Sequence, residues 1–308
     1  MGFLPGSRRI TGQISKFLET AAFDPALPPA ADPAWPRITV VTPSFNQAPY
    51  LEKTILSIHN QGYPNLEHII VDGGSTDGSV DIIMKYEARL AHWQSRPDAG
   101  QCDAINQGAA RATGQYMTWI NSDDLLLPGA LLRMGDLIRR DPDVDLFYGN
   151  QVEVDRWDRV TKRVYTIDFD LKDFLYEVHI IIHQQSALWR VDLFRELSGL
   201  NDCAYAMDYD LFYRMVRRGI RWRRIRDFQA AFRIYSDSLT GSGEVRRSRS
   251  PTVDRIFEEA TGRPRTLWDR TVWRSFHKAR RFLLEPRSLM CAVEHRLWQS
   301  MAREGIGP

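Results

Sequence analysis

The feature that most constrains the fold is an alternation of apolar runs and helical patterns across residues 37–148. The runs Arg37–Thr42, Leu66–Val71 and Gln115–Ile120 are short and rich in apolar or β-branched residues, which predicts buried strands. Between the first two runs, residues 50–59 carry apolar side chains at helical spacing. Strands that alternate with helices predict a mainly parallel sheet that is covered on both faces. The sequence therefore predicts an α/β fold.

Three polar loops follow these runs where each predicted strand ends, at 43–47, 72–78 and 121–124. Ligands of such sheets bind beyond the carboxyl ends of the strands. In 72–78, paired glycines let the backbone approach a ligand closely, and its N–H groups can face an anion. This turn is not the dinucleotide fingerprint Gly-x-Gly-x-x-Gly, and a P-loop lysine is missing. The turn is therefore either an anion site or a plain connection.

Acidic residues supply the other candidate chemistry. Asp123 and Asp124 are adjacent carboxylates, which are costly to bring together unless a cation lies between them. Oxygen ligands on a loop suit Mg²⁺ or Mn²⁺, but the pair could instead cap the predicted helix that starts near Pro128. Asp208 opens another predicted helix, where it is either a cap or a general base for a hydroxyl group.

Composition excludes several classes of protein. With 43% hydrophobic and 26% charged residues among 308, the chain is unlike disordered, collagen-like or disulfide-scaffold proteins. Its three cysteines are widely spaced, which is typical of a reduced cytoplasmic protein and matches no metal-site pattern. The first 20 residues lack the apolar core of a signal peptide. No apolar run reaches the roughly 18–20 residues of a spanning helix, so we expect a cytoplasmic protein.

The C-terminal part of the chain is basic. Residues 241–308 hold 14 Arg and Lys against 8 Asp and Glu, which predicts an anionic neighbour or a solvated helical face. Residues 266–301 have a helical pattern in which Trp, Phe and Leu alternate with Arg and Lys. Such a helix either lies in a membrane interface or packs its aromatic stripe on the domain. We expect no nucleic-acid partner.

Several segments, taken together and in order, resemble glycosyltransferase family 2. The resemblance covers about residues 37–240. The segments that carry it are Thr42–Gln47 (TPSFNQ), Tyr50–Ser57 (YLEKTILS), Ile69–Gly78 (IIVDGGSTDG), Asp98–Gly108 (DAGQCDAINQG), Gly114–Asp124 (GQYMTWINSDD) with Pro128–Leu131, Gln184–Arg190 (QQSALWR) and Met207–Arg214 (MDYDLFYR). The resemblance implies a GT-A fold, in which a Rossmann-like, mainly parallel sheet is flanked by helices, here with a helical C-terminal appendage.

The resemblance, together with the Pro/Ala-rich stretch before it and the basic stretch after it, predicts a division of the chain. Residues 1–36 would form an N-terminal helix and a Pro/Ala linker. Residues 37–240 would form the GT-A domain, with a nucleotide half at 37–124 and an acceptor half at 125–240. Residues 241–308 would form a basic, aromatic helical extension.

The resemblance assigns roles to particular residues. Asp72 would hydrogen-bond the base, Asp98 and Asp103 would stand near base and donor sugar, and Asn121 would open the Asp-x-Asp-type motif. Asp123 would hold Mn²⁺ or Mg²⁺ with Asp124 beside it. The residues expected at the nucleotide and donor are Pro43, Ser44, Asn46, Asp72, Gly73, Ser75, Asp98, Asp103 and Asn121.

The reaction implied is an inverting transfer from a nucleoside-diphosphate sugar, with a UDP-sugar favoured. The leaving group is a diphosphate, whose charge a metal can neutralise, so one carboxylate base suffices, and Asp208 matches it. Asn121 replaces the first Asp of the motif, which weakens direct metal contact there. Tyr235 replaces a His that the family often uses, and Arg233 or His183 could take over its role at the diphosphate or metal.

The acceptor implied is a glycan or a lipid-linked saccharide in polysaccharide or cell-envelope synthesis. Through the 266–308 segment the protein would then contact the inner face of the cytoplasmic membrane as a peripheral protein.

A sugar nucleotidyltransferase is the first alternative, because it has the same kind of sheet and also binds a metal through carboxylates. Such an enzyme normally has a Gly-rich basic loop after the first strand, and residues 44–47 do not form one. A non-catalytic nucleotide-sugar binding module is the second alternative, because of Asn121 and Tyr235.

Overall fold

The computed structural model describes residues 5–27, 31–176, 181–201, 206–236 and 250–293. The strands are β1 Ile38–Ser44, β2 Leu66–Asp72, β3 His92–Ser95, β4 Tyr116–Trp119, β5 Leu125–Leu126, β6 Leu146–Val154, β7 Val160–Val164, β8 Ala187–Arg190 and β9 Trp222–Arg233. The helices are α1 Pro5–Leu18, α2 Ala48–His59, α3 Ser79–Lys85, α4 Gln101–Arg111, α5 Ala130–Arg140, α6 Leu171–Leu175, α7 Val191–Glu196, α8 Met207–Arg217, α9 Ser250–Thr261 and α10 Arg274–Leu284. A π-helical turn, Asp269–Trp273, leads into α10, and residues 286–293 are also helical.

The strands form one sheet in the order β3-β2-β1-β4-β8-β6-β9-β5, with β7 paired to β6. β1 pairs parallel with β2 and β4, and β2 pairs parallel with β3. Beyond β4 the sheet is mixed: β8 runs antiparallel between β4 and β6, whereas β9 runs parallel to β6. The predicted α/β fold, with a mainly parallel sheet flanked by helices, is confirmed.

The parallel strands form where the sequence has unbroken apolar runs. All seven residues of β1 are buried, as are six of the seven in β2, because helices cover both faces of the sheet. Gly108 of α4 makes close packing possible, since a Cβ there would lie 2.5 Å from Val41 Cγ1. This close packing places the start of α4 beside the carboxyl end of β1.

The largest core cluster is formed mostly by residues of the second part of the chain and includes one C-terminal helix, α9. Val253, Ile256 and Phe257 of α9 are fully buried with residues of α8 and with Trp119 and Trp189. The domain boundary near residue 240 remains a prediction, and α9 packs within the core that α8 helps to form. In the described residues, no helix has the length and apolar character that crossing a membrane requires.

Candidate functional site

The carboxyl ends of the parallel strands meet at one edge of the sheet. Ser44 at the end of β1 pairs in register with Asp72 at the end of β2, and Asp72 pairs with Ser95 at the end of β3. β4 ends at Trp119, and Asn121 follows two residues later. The three polar loops predicted from the sequence are therefore neighbours, as expected for parallel strands.

Asp72 organises the turn that follows β2. Its Oδ2 accepts hydrogen bonds from the backbone N–H groups of Gly74 and Ser75, at 3.1 and 2.8 Å, and from Ser95 Oγ at 2.7 Å. Its Oδ1 accepts from Ser75 Oγ at 2.5 Å. The side chain is fully buried. This network holds the glycine turn in one shape, which is what a preformed binding loop requires.

The loop after β1 is joined to the same turn. Asn46 lies in the left-handed region at φ 52°, its N–H donates to Ser75 Oγ at 2.8 Å, and its Oδ1 accepts from Thr76 N–H at 3.0 Å. Ser44 Oγ is buried without a hydrogen-bond partner among the described residues. A buried hydroxyl without a partner is costly, so a ligand at this strand end would find it available. Pro43 precedes it within β1.

Asp98 and Phe45 pack closely against Gly73 of this turn, because glycine has no side chain. A Cβ on Gly73 would lie 3.1 Å from Asp98 Oδ2 and 3.3 Å from Phe45 Cδ2, so a side chain there would displace one of them. Asp98 Oδ1 accepts from Gly100 N–H at 2.8 Å, and Asp103 Oδ2 accepts from Ala99 N–H at 3.1 Å. Gly73 and Asp98 are therefore neighbours, and Asp103 steadies the same loop at the start of α4.

The Asn121–Asp124 loop is tied to its surroundings mainly through Asp124. Asp124 Oδ2 accepts from Asn121 Nδ2 at 3.0 Å and from Gln185 Nε2 at 3.3 Å, and its Oδ1 accepts from the Arg233 N–H at 2.9 Å. Asn121 Oδ1 in turn accepts from Gln101 Nε2 at 2.7 Å. Burial, followed by the charge of Asp123, holds the pKa of the Asp124 carboxyl well above its usual range. Asp124 therefore anchors the loop to β9.

Asp123 is less enclosed than Asp124. Its Oδ2 lies 3.2 Å from the Tyr235 hydroxyl, which also lies 3.4 Å from Gln47 Oε1. Burial raises the pKa of the Asp123 carboxyl, and the Tyr235 hydrogen bond and the charge of Arg233 oppose the rise. Tyr235, which replaces the His that the family often uses, thus contacts the Asp123 carboxylate.

Arg233 does not face a diphosphate site. Its side chain is fully buried, with Nη2 at 2.6 Å from Asp158 Oδ1 and Nε at 2.7 Å from the Asp123 carbonyl oxygen. Lys53 Nζ lies 2.5 Å from the other oxygen of Asp158. The expectation that Arg233 could neutralise the phosphate is wrong, because its guanidinium group is committed to holding the 121–124 loop against the β6–β7 turn.

The residues fit a divalent cation through Asp123. In the described ranges, no group of three or more His, Cys, Asp or Glu side chains could hold a metal by itself. Proteins often bind Mg²⁺ through only one or two carboxylates, with phosphate and water completing the coordination. Two adjacent, largely buried carboxylates also favour a nearby cation. His183 is buried, and burial lowers its pKa to about 3, so its ring is neutral.

Asp208 lies in the first turn of α8, where its Oδ1 accepts from the Tyr209 N–H at 2.8 Å. It is half-buried. The helix begins beside α4, since Met207 Sδ lies 3.3 Å from Cys102 Sγ. Gln101, the residue before Cys102, bonds Asn121. Asp208 is therefore at the start of a helix that adjoins the loop edge of the sheet.

Sequence reasoning missed Ser95, and it gave no role to Gln101 and Gln47 although both lie in segments that it singled out. Ser95 is the last residue of β3, a strand of four half-buried residues. These residues contain no apolar run that would predict a strand. Gln101 and Gln47 each open or precede a helix and contact site residues across the chain. The polar loop 43–47 and the segment 98–108 therefore indicated the regions of Gln47 and Gln101, but no sequence signal indicated their contacts.

About half of this chain matches a known protein family. The family described as Glycosyl transferase family 2 matches residues 39–198, just over half of the chain. An uncharacterized glycosyltransferase of Mycobacterium tuberculosis is 33% identical over 153 residues, which are 49% of this chain and 58% of that protein. The chain thus spans less than two thirds of the length of the curated relatives it matches.

Two solved structures have a similar fold. Residues 1–349 of Staphylococcus aureus TarS, in complex with UDP-GlcNAc, give a TM-score of 0.53 at 16% identity, covering 72% of this chain and 71% of that one. A mannosyltransferase from Pyrobaculum calidifontis, in complex with GDP-Man and Mn²⁺, gives a TM-score of 0.55 at 19% identity, covering 96% and 83%. At these identities the likeness concerns the fold.

Proposed function

Because the chain belongs to glycosyltransferase family 2, we propose that it transfers a sugar from a nucleoside-diphosphate donor to a hydroxyl group of a glycan or lipid-linked acceptor. The predicted family membership is confirmed by the match to residues 39–198. The observation that carries the proposal is the meeting, at one edge of the sheet, of the turn that Asp72 organises and the acidic loop that Asp124 anchors. Donor and leaving group would lie between them.

The donor would lie against the carboxyl ends of β1 and β2. Ser44 offers a buried hydroxyl without a partner, and Gly73 leaves space that Asp98 and Phe45 border. Asp72 and Ser75 hold this surface, and Pro43, Asn46, Asp103 and Asn121 flank it. We favour a UDP-sugar. The TarS complex holds UDP-GlcNAc, whereas the mannosyltransferase holds GDP-Man, so the base is the first quantity to measure.

Asp123 would hold Mn²⁺ or Mg²⁺, with Asp124 beside it. The Mn²⁺ in the related mannosyltransferase supports a divalent cation. When bound, such a cation stabilises the charge of the diphosphate leaving group. Tyr235 would orient the Asp123 carboxylate through the 3.2 Å contact to Oδ2. Asp124, whose two oxygens accept bonds from Arg233, Asn121 and Gln185, would hold the loop and contribute charge.

Asp208 would act as the general base of an inverting transfer. The bond between the anomeric carbon and the diphosphate oxygen breaks, and the acceptor oxygen forms the new bond from the opposite face. The proton of the acceptor hydroxyl passes to the Asp208 carboxylate. The half-buried position at the start of α8 leaves the carboxylate partly open to an acceptor.

Calorimetric binding of UDP, GDP and dTDP, each with and without Mn²⁺, tests this proposal. We expect metal-dependent binding of UDP, and its loss in Asp123→Asn. Asp136→Asn, a half-buried acid of α5 paired with Arg140, is the matched control. Binding of none of the three nucleotides would refute the donor assignment and favour a degenerate binding module. Pyrophosphate release from a nucleoside triphosphate would instead identify a nucleotidyltransferase.

A further inference from the structure

In the helical segment 263–293, called here the C-terminal segment, polar side chains are buried and large apolar side chains are exposed. Among the described residues, the side chains that it buries include Asp269, His277, Arg281, Glu285 and Ser288. His277 and Arg281 lie four residues apart in α10 and share one helical face, and Glu285 and Ser288 follow after that helix ends at Leu284. Polar and charged groups therefore point inward, the reverse of an ordinary surface helix.

The inward face is held by charge pairs and hydrogen bonds. His277 Nδ1 and Arg280 Nη1 both contact the buried carboxylate of Asp173. Arg281 Nη2 donates to the Tyr165 carbonyl oxygen at 2.6 Å, and Arg224 Nη2 donates to Glu285 Oε2 at 2.9 Å. The segment is thus attached to the domain mainly through polar and charged side chains, and Trp273 adds a ring contact to Tyr176 at 5.9 Å between centroids.

Those apolar side chains face outward. The described residues contain 17 exposed large hydrophobic side chains, and 10 of them lie between 267 and 293. Trp268 is 62% exposed and Leu283 is 82% exposed. The full set is Leu267, Trp268, Val272, Trp273, Phe276, Leu283, Leu284, Leu289, Met290 and Val293. So many exposed apolar side chains within one short segment are typical of an interaction surface rather than of scattered exposure.

The charge of the same surface has one sign. The only acids of the segment, Asp269 and Glu285, are buried and paired with arginines. Its exposed charged residues are all basic: Arg263, Arg270, Arg274, Lys278 and Arg287. Exposed apolar side chains mixed with basic ones match the boundary between acyl chains and anionic headgroups.

We infer that the C-terminal segment binds the surface of an anionic lipid bilayer through its exposed apolar face. A second copy of the chain is a poorer partner, because a two-fold contact would bring the same basic residues together. Leu283 and Trp268 would enter the headgroup region, with Arg274 and Lys278 at the phosphates. The inference goes beyond the proposed function and does not depend on it.

The segment is also coupled to the helix that carries Asp208. Arg255 of α9 pairs with Asp210 of α8 at 2.7 Å, and Asp210 lies two residues after Asp208. Arg265 Nη1 of the C-terminal segment lies 3.7 Å from Asp254 of α9. Membrane binding would therefore hold the acceptor half near the lipid surface.

Flotation of the full chain with vesicles tests the inference. Vesicles of phosphatidylcholine alone are compared with vesicles that also contain phosphatidylglycerol, at low and high salt. We expect binding to the anionic vesicles, weakened by salt. Trp268→Ser/Phe276→Ser/Leu283→Ser should abolish it, and Arg274→Gln/Lys278→Gln should weaken it by about fivefold for each charge removed.

A matched control removes apolar side chains that are exposed elsewhere. Trp157→Ser/Met84→Ser/Leu132→Ser should bind as the unaltered chain does, since these residues lie outside the segment and Trp157 is 63% exposed. Thermal melts of all variants check folding. Vesicle binding that survives the triple change in the segment overturns the inference. So does a dimer that forms in solution and disappears with Trp268→Ser.

Discussion

The predicted nucleotide half (37–124) and the predicted acceptor half (125–240) contribute to the site in different ways. In the nucleotide half, Asp72 takes its partners from residues at most 23 positions away, at the ends of adjacent parallel strands. Arg233 of the acceptor half bonds Asp158 across 75 positions and Asp124, the last residue of the nucleotide half, across 109. His277 of the C-terminal segment reaches Asp173 of the acceptor half across 104. One half is organised locally and the other by long-range contacts between buried charges.

The difference explains why sequence motifs predict the structure of the nucleotide half better than that of the acceptor half. A turn held by Asp72, Ser75 and the ends of the two adjacent strands needs only that part of the sheet to be assembled. A loop anchored by a distant arginine depends on the whole sheet being assembled. The two halves should therefore respond differently to substitution, and the following predictions go from the largest expected effect to the smallest.

Loss of the base should affect turnover alone. Asp208→Asn should lower kcat by about 10²- to 10⁴-fold, since general base catalysis contributes that much, while nucleotide binding stays unchanged. Steady-state kinetics and calorimetry measure the two quantities. Asp192→Asn, an acid in the first turn of α7, is the control and should keep full turnover. Unchanged kcat in Asp208→Asn would show that the base is another group.

Loss of the buried arginine should destabilise the fold. Arg233→Met leaves Asp158 buried with Lys53 alone, and breaking a buried ion pair costs about 3–5 kcal/mol. Urea unfolding measures the loss. Arg223→Met, on the same strand with an exposed pair to Asp141, should cost at most about 1 kcal/mol. Equal effects of the two changes would contradict the long-range anchoring of the acceptor half.

Loss of the Asp72 charge should act locally. Asp72→Asn removes one acceptor oxygen from a network of four hydrogen bonds, and bonds to a charged group contribute about 1.5–3 kcal/mol each. We expect weaker nucleotide binding with a smaller loss of stability than Arg233→Met. Asp81→Asn, exposed in α3, is the control for both calorimetry and urea unfolding. Nucleotide binding at full strength in Asp72→Asn would show that the turn is a plain connection.

Acid should destabilise the nucleotide half through a buried histidine. Burial lowers the pKa of His68 from 6.5 to about 3, so the unfolded chain takes up a proton before the folded chain does. Stability is therefore lost as the pH falls from about 6.5 towards 3, by at most about 1.4 kcal/mol per pH unit. Unfolding free energies across this range should fall less steeply in His68→Gln than in His92→Gln. Parallel slopes would exclude His68 as the source.

Much of the nucleotide half could be predicted from the sequence. The runs at 37–42, 66–71 and 115–120 correspond to β1, β2 and β4, and the polar loops after them converge as expected. β3 was missed because its four residues are half-buried and mostly polar. β9 was missed because its first half is arginine-rich and exposed, and only pairing with β6 makes it a strand.

The sequence by itself determined the family, the parallel strands and the acidic loops, because these depend on local periodicity and on side chains close in the chain. Only the tertiary structure decided that Arg233 is a buried anchor and that the C-terminal segment turns Trp268 and Leu283 outward. A helical pattern states which residues share a face, but not which face the domain covers. The face that the domain covers is the one that bears His277 and Arg280, because both contact the buried carboxylate of Asp173. These contacts span 104 and 107 positions of the chain.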